Sequence, residues 1–149
     1  MSGLADEVAA AVKAAMREGN ALKRDTLRMV MAELKNKRIE LGRELTEDEV
    51  IAVLQRCVKT RKESREQYEA AGRPELAARE QAEIEMIATF LPEPMGEEQV
   101  RAAVAEAVAE AGAVSRKETG AVMKILMGRY RGRIDGKRAS SFLAELLDS

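Results

Sequence analysis

A helical spacing of apolar residues runs along almost the whole chain and is broken sharply at one segment. That segment is Leu91-Pro-Glu-Pro94-Met-Gly96, in which two prolines and a glycine fall within five residues. Proline removes a backbone donor and clashes with the preceding helical turn, so no helix continues through it. The sequence predicts an all-α protein with an N-terminal domain of long helices (residues 1–91), a proline linker (92–96) and a C-terminal three-helix bundle (97–149).

Residues typical of helix ends predict seven helices along this pattern. Glycine takes the left-handed conformation that closes a helix, and it is expected to end three of them: Gly19, Gly42 and Gly112. Polar caps or a first-turn proline are expected to begin four others: Thr46 with Glu49, Pro74, Ser115 with Glu118, and Asp135. Because aromatic residues make up only 3% of the chain, the core must be built from aliphatic side chains and methionine.

The residues that usually carry catalysis are scarce. The chain has no histidine, which removes the commonest general acid–base and excludes metal sites of the Cys/His type. The single cysteine, Cys57, stands among Val53, Leu54 and Val58, which indicates a small core residue rather than a nucleophile. Close-spaced carboxylates on the fourth helix are expected by chance among 26 acids. The sequence therefore predicts no catalytic residue, no metal site and no cofactor.

The segment from Lys117 to Lys137 is the most informative for function. It combines glycines, which let a backbone approach a ligand, with cations suited to phosphate. The candidate RNA-binding residues are Lys117, Gly120, Lys124, Arg129, Arg131, Gly132, Arg133, Gly136 and Lys137. A nucleotide-binding P-loop is excluded, because Arg131 stands where its first glycine belongs and Arg138 follows the Gly136-Lys137 pair. A solvated basic loop between packed helices and a phosphate-binding surface both remain open.

A second group of cations lies on the third predicted helix. Its members are Arg56, Lys59, Arg61, Lys62 and Arg65. Acids three or four positions away, among them Glu63 and Glu66, offer local ion pairs. This pattern favours a solvated helix face over an RNA-binding stripe.

The N-terminal region and the apolar runs bear on targeting. The N-terminal region carries Asp6 and Glu7 and has no apolar run longer than five residues. Neither a signal peptide nor a membrane span fits this pattern. The sequence predicts a cytoplasmic protein with no membrane partner.

A set of motifs spread along the chain carries a family resemblance. They are Leu27-Arg-Met29, Leu34-Lys-Asn36, Leu45-Thr46, Glu49-Val50, Val53-Leu-Gln-Arg56, Lys59, Arg61-Lys-Glu-Ser64, Ala71-Gly-Arg73, Leu76-Ala77, Glu80, Phe90-Leu-Pro92, Gly120-Ala-Val-Met123 and Gly132-Arg-Ile-Asp-Gly-Lys137. With them the chain resembles the YqeY family, relatives of the tail domain of GatB, a component of the aspartyl/glutamyl-tRNA amidotransferase. The resemblance implies a two-part all-α fold and a tail that helps to hold tRNA while a separate domain performs the chemistry.

Three hypotheses about function follow. The first is a tRNA or structured-RNA binding protein without catalysis of its own, linked to a tRNA-dependent amidotransferase. The second is an interaction module that docks on an amidase or synthetase through methionines, which pack adaptably: Met29, Met31, Met86, Met123 and Met127. The third, a glutamine-dependent carbon–nitrogen ligase acting alone, has the least support, because the chain lacks the residues for that reaction.

Overall fold

The computed structural model describes residues 3–147. Residues 1–2 and 148–149 belong to the predicted domains but lie outside the described range. Within the described range there are seven α-helices, one 3-10 turn and no strand, which confirms the all-α prediction. The helices are α1 (Gly3–Glu18), α2 (Ala21–Leu41), α3 (Glu47–Ala70), α4 (Pro74–Ala88), α5 (Glu97–Ala111), α6 (Thr119–Arg129) and α7 (Gly136–Leu146). The 3-10 turn (Arg116–Glu118) directly precedes α6.

The helix ends follow local chemistry. Gly19, Gly42 and Gly112 end α1, α2 and α5 with φ of 72°, 71° and 64°, a backbone region that favours glycine. At the start of α3, the Glu49 N–H donates to Thr46 Oγ1 (3.2 Å) and the Thr46 N–H donates to Glu49 Oε1 (2.9 Å). This capping box is the predicted one. Arg43 also donates to both Glu49 carboxylate oxygens, and with the Thr46 N–H it lowers the pKa of Glu49 to about 2.

The chain divides into two compact units, Met1–Pro92 and Glu93–Ser149. In the first unit the apolar stripes of α1 to α4 meet in one core, centred on Val8, Leu27, Val30, Val50, Leu54 and Ile87. Cys57 belongs to this core, as predicted, and burial raises the pKa of its thiol. The thiol is therefore held in its unreactive protonated form.

The second unit has its own core. Helices α5, α6 and α7 each contact the other two, and their buried residues include Val100, Val104, Val122, Leu126, Leu143 and Met95. Met95 lies in the predicted linker, and its N–H donates to the Arg133 carbonyl (2.9 Å). From Glu93 onward, this segment is therefore built into the second unit.

Arg61 departs most, among the cationic group on α3, from the prediction of a solvated face. Arg61 is only 6% exposed, and its Nε lies 3.4 Å from Glu83 Oε2 on α4. Its Nη1 donates to the Cys57 carbonyl (3.0 Å). The solvated-face hypothesis is wrong for Arg61, because α4 covers that part of α3.

A membrane-spanning helix must be both long and apolar. Across residues 3–147, no helix combines the length and the apolar character needed to cross a bilayer.

Candidate nucleic-acid interface

The predicted basic segment spans parts of four elements. Lys117 lies on the 3-10 turn, Gly120 and Lys124 lie on α6, and Gly136 and Lys137 begin α7. Gly128 and Arg129 form the last residues of α6. The loop proper is residues 130–135, so most candidate residues are carried by helices rather than by a free loop.

Arg129 is used inside the second unit. Its Nη2 donates to both carboxylate oxygens of Glu110 on α5, at 2.9 and 2.8 Å. Its Nη1 lies 3.7 Å from Glu106, one turn earlier on α5. The paired Glu110 raises the pKa of Arg129, so its charge is permanent but already balanced. Arg129 therefore joins α5 to α6 and adds little to a phosphate-binding surface.

Arg133 and Gly132 shape the loop. The Arg133 Nε donates to the Glu93 carbonyl (3.0 Å), and its own carbonyl accepts the Met95 N–H. Gly132 is buried, with a φ of 81° that L side chains rarely adopt. Both residues therefore have structural roles, while Arg131 beside them is exposed.

The lysines of the segment differ from these arginines. Lys117, Lys124 and Lys137 are exposed, and none has an ion-pair partner within residues 3–147. Arg138, which follows Lys137 on α7, is also exposed without a partner in that range. It was missed as a candidate, although its place after Lys137 in the first turn of α7 was a signal. These three lysines and Arg138 are called the exposed cations below.

Two of the exposed cations, Lys124 and Lys137, lie on helices that pack against each other. A Cβ built on Gly136 would lie 3.8 Å from the Met127 sulfur, so the start of α7 lies against the last turns of α6. Lys124 is one helical turn before Met127, and Lys137 directly follows Gly136. Lys124 and Lys137 therefore lie on adjoining parts of the same unit, with no carboxylate paired to either among the described residues.

The N-terminus of α7 is already occupied. Asp135 Oδ1 accepts the Lys137 N–H (3.0 Å), which confirms Asp135 as the cap of this helix. Its carboxylate takes the place that an anion would take at those amides. A phosphate at this position would therefore meet the charges of the side chains rather than free backbone donors.

Two glycines of α6 have no packing role. Gly120 and Gly128 are exposed, and a Cβ added to either meets nothing within 4 Å. Glycine in a helix is less favourable than alanine by about 1 kcal/mol, so the fold gives no reason for them. With Lys124 midway between them they form one exposed stripe along α6, the glycine–lysine stripe, because positions four apart share a face.

The methionines of the predicted docking surface are divided between the two units. Met123 and Met127 pack partly against the core of the second unit. In the first unit, Met29 and Met31 line two different grooves. The hypothesis of docking through methionines stays a prediction. Among residues 3–147, no three acidic or cysteine side chains group together as metal ligands do.

These observations describe an all-α chain with a cationic, glycine-containing surface in its second unit. The chain belongs to the YqeY family, since it matches the family described as Yqey-like protein over residues 5–147. The resemblance found in the sequence motifs is thereby confirmed for nearly the whole chain. A search among curated proteins found no match.

Proposed function

We propose that this YqeY-family protein binds tRNA or another structured RNA without catalysing a reaction. The observation that supports the proposal is the packing of α6 against α7, which carry Lys124 and Lys137, with neither lysine neutralised by a described carboxylate. Unpaired cations on packed helices suit the phosphates of a folded RNA, which proteins recognise mainly through shape and backbone contacts. The resemblance to the amidotransferase tail extends the proposal to tRNA that serves a tRNA-dependent amidotransferase.

The proposed RNA contacts involve only some of the predicted residues. The charge comes from Lys117, Lys124, Lys137 and Arg138, and the exposed Arg131 lies on the loop between α6 and α7. The glycine–lysine stripe lets a phosphate backbone come close to α6. Arg129, Gly132 and Arg133 support the surface from within, because their contacts are intramolecular.

Replacing Lys117, Lys124 and Lys137 together by alanine is expected to weaken tRNA binding strongly at low salt. Each lost phosphate contact should reduce the slope of log affinity against log salt by roughly 0.7–0.9, so the triple variant should lose roughly 2–3. Binding should fall by a similar factor for different RNA sequences, because phosphate contacts carry no sequence information. The measurement is a fluorescence titration of transcribed tRNA at several salt concentrations.

The matched control removes three lysines from the first unit, Lys13, Lys59 and Lys62, which are exposed and have no ion-pair partner among the described residues. It changes net charge by the same amount and should leave the salt slope nearly unchanged. If the salt slope falls as much in the control variant as in the test variant, the RNA surface includes the first unit. No binding by the natural protein at low salt would end the RNA proposal.

Gly128→Ala separates binding from folding. Alanine fits the helix and meets nothing within 4 Å, so the variant is expected to be as stable as the natural protein or more stable by up to about 1 kcal/mol. Its methyl group occupies the space through which a phosphate would approach α6, so RNA affinity should fall. Thermal unfolding and tRNA titration of the same sample test this. Unchanged affinity would show that the glycine–lysine stripe does not contact RNA.

A further inference from the structure

A groove of about 360 Å³ opens on the first unit, outside the proposed RNA surface. Its floor is apolar and comes from α2, the segment before α3 and the first turn of α3: Met31, Leu34, Leu45 and Val50. Leu34 and Val50 are buried members of the core, whereas Met31 and Leu45 are only partly buried. The groove therefore leaves one edge of the first core open to solvent.

Cations line one side of this groove. All three come from α2: Arg28, Lys35 and Arg38. Their spacing of seven and then three positions puts them on the same face of the helix as Met31. From Arg28 to Arg38 this face is about 15 Å long at 1.5 Å per residue. Ile39 lies on the same face, one turn beyond Lys35, and is 65% exposed.

The three cations differ in how far they are balanced, since Arg28 also interacts electrostatically with Asp25. The one carboxylate among the lining residues is Glu44, which lies 3.7 Å from Arg38. Arg28 donates to the Met16 sulfur (3.5 Å), a weak acceptor, and Lys35 has no ion-pair partner in residues 3–147. The lining therefore carries three positive charges and one negative charge around an apolar floor.

We propose that this groove binds a short acidic amphipathic helix of a partner protein. Apolar side chains of that helix, spaced three and four apart, would cover Met31 and Leu45, and flanking Glu or Asp would pair with Arg28 and Lys35. The length of the cationic face matches two to three turns of helix. A small apolar ligand would leave Arg28, Lys35 and Arg38 beside the apolar floor without partners, which an acidic helix would supply.

The test uses a synthetic peptide of about 14 residues, with Leu at i, i+3, i+4 and i+7 and Glu on the other faces, the pattern of helices that bind in grooves. Titrated into ¹⁵N-labelled full-length protein, it should shift amides of Ala5, Met31, Leu45 and Val50 saturably. Lys35→Glu should weaken binding at least about tenfold, because like charges across an interface repel. Lys13→Glu is the matched control, since Lys13 is exposed on α1 and does not line the groove. It should leave affinity within about twofold.

Several outcomes would overturn the proposal. The first two are the absence of saturable shifts at these amides and equal affinity for the peptide in the Lys35→Glu variant. Tighter binding of a peptide with Lys in place of Glu would show that the charges do not select the partner. If laurate produces the same shifts and the acidic peptide does not, the groove takes an acyl chain. Concentration-dependent dimerisation that causes these shifts without peptide would assign the groove to a second copy of the chain. None of these results bears on RNA binding, which uses residues of the second unit.

Discussion

Arg61→Ala is expected to lower the free energy of unfolding of the first unit by about 3–5 kcal/mol, a loss typical of breaking a buried ion pair. The substitution leaves the Glu83 carboxylate, which is only 13% exposed, with the more distant and exposed Arg79 (3.9 Å) as its remaining described cation. It also removes the donor to the Cys57 carbonyl. The measurement is urea unfolding followed by circular dichroism at neutral pH.

The surroundings of the pair explain why the loss is large. Glu80 lies on the same helix as Glu83, and burial, followed by the nearby Glu83 charge, raises the pKa of Glu80. Arg61 opposes that shift, so it balances two acids in a poorly solvated region. Without Arg61 only the exposed Arg79, among the described residues, balances these two acids, and the cost is largest when the carboxylates are ionised. The difference between variant and natural protein should therefore shrink as the pH falls through the raised pKa of Glu80, where that carboxyl group takes up a proton.

Two further variants separate the pair from other effects. Arg61→Met combined with Glu83→Leu removes both charges and keeps apolar volume, so it is expected to be close to neutral or stabilising. Lys62→Ala changes an exposed cation at the next position and should cost less than about 0.5 kcal/mol. A loss below about 1 kcal/mol for Arg61→Ala would mean that Glu83 stays solvated in solution.

The helix boundaries were predictable because their causes are local. Gly42 and the Thr46–Glu49 capping box act within four residues of a helix end, and the structure has both where the sequence predicts them. The burial of Arg61 was not predicted, because it depends on α4 covering α3. One signal was present, since Val50, Leu54, Cys57 and Arg61 continue a single buried stripe at helical spacing.

For a similar reason, the sequence pattern did not predict which cations of the candidate interface are paired within the fold. The partner of Arg129 lies 19 positions earlier, and that of Arg133 lies 40 positions earlier. Neither separation matches a helical repeat, so only the packed fold distinguishes these residues from Lys124 and Lys137. Charge counting locates the basic segment, and packing decides which of its charges remain free for a ligand.

Leu126→Ala is expected to lower the free energy of unfolding of the second unit by about 2–5 kcal/mol, as for other leucines removed from a packed core. Leu126 is fully buried among the side chains of α5, α6 and α7. Because the second unit is short, it buries a smaller share of its surface and has less stability to lose. We propose that the two units unfold separately, so this loss should be confined to residues 93–147.

Leu54→Ala is the matched substitution in the first unit, where Leu54 is also fully buried. Hydrogen exchange read by mass spectrometry should show Leu126→Ala exposing amides of α5 to α7 and Leu54→Ala exposing those of α1 to α4. If both variants expose amides throughout the described chain, the units unfold as one, and the proposed division fails. Confined unfolding has a functional consequence. Leu126→Ala should then weaken binding of tRNA at temperatures where the groove of the first unit still binds the acidic peptide, and Leu54→Ala should do the reverse.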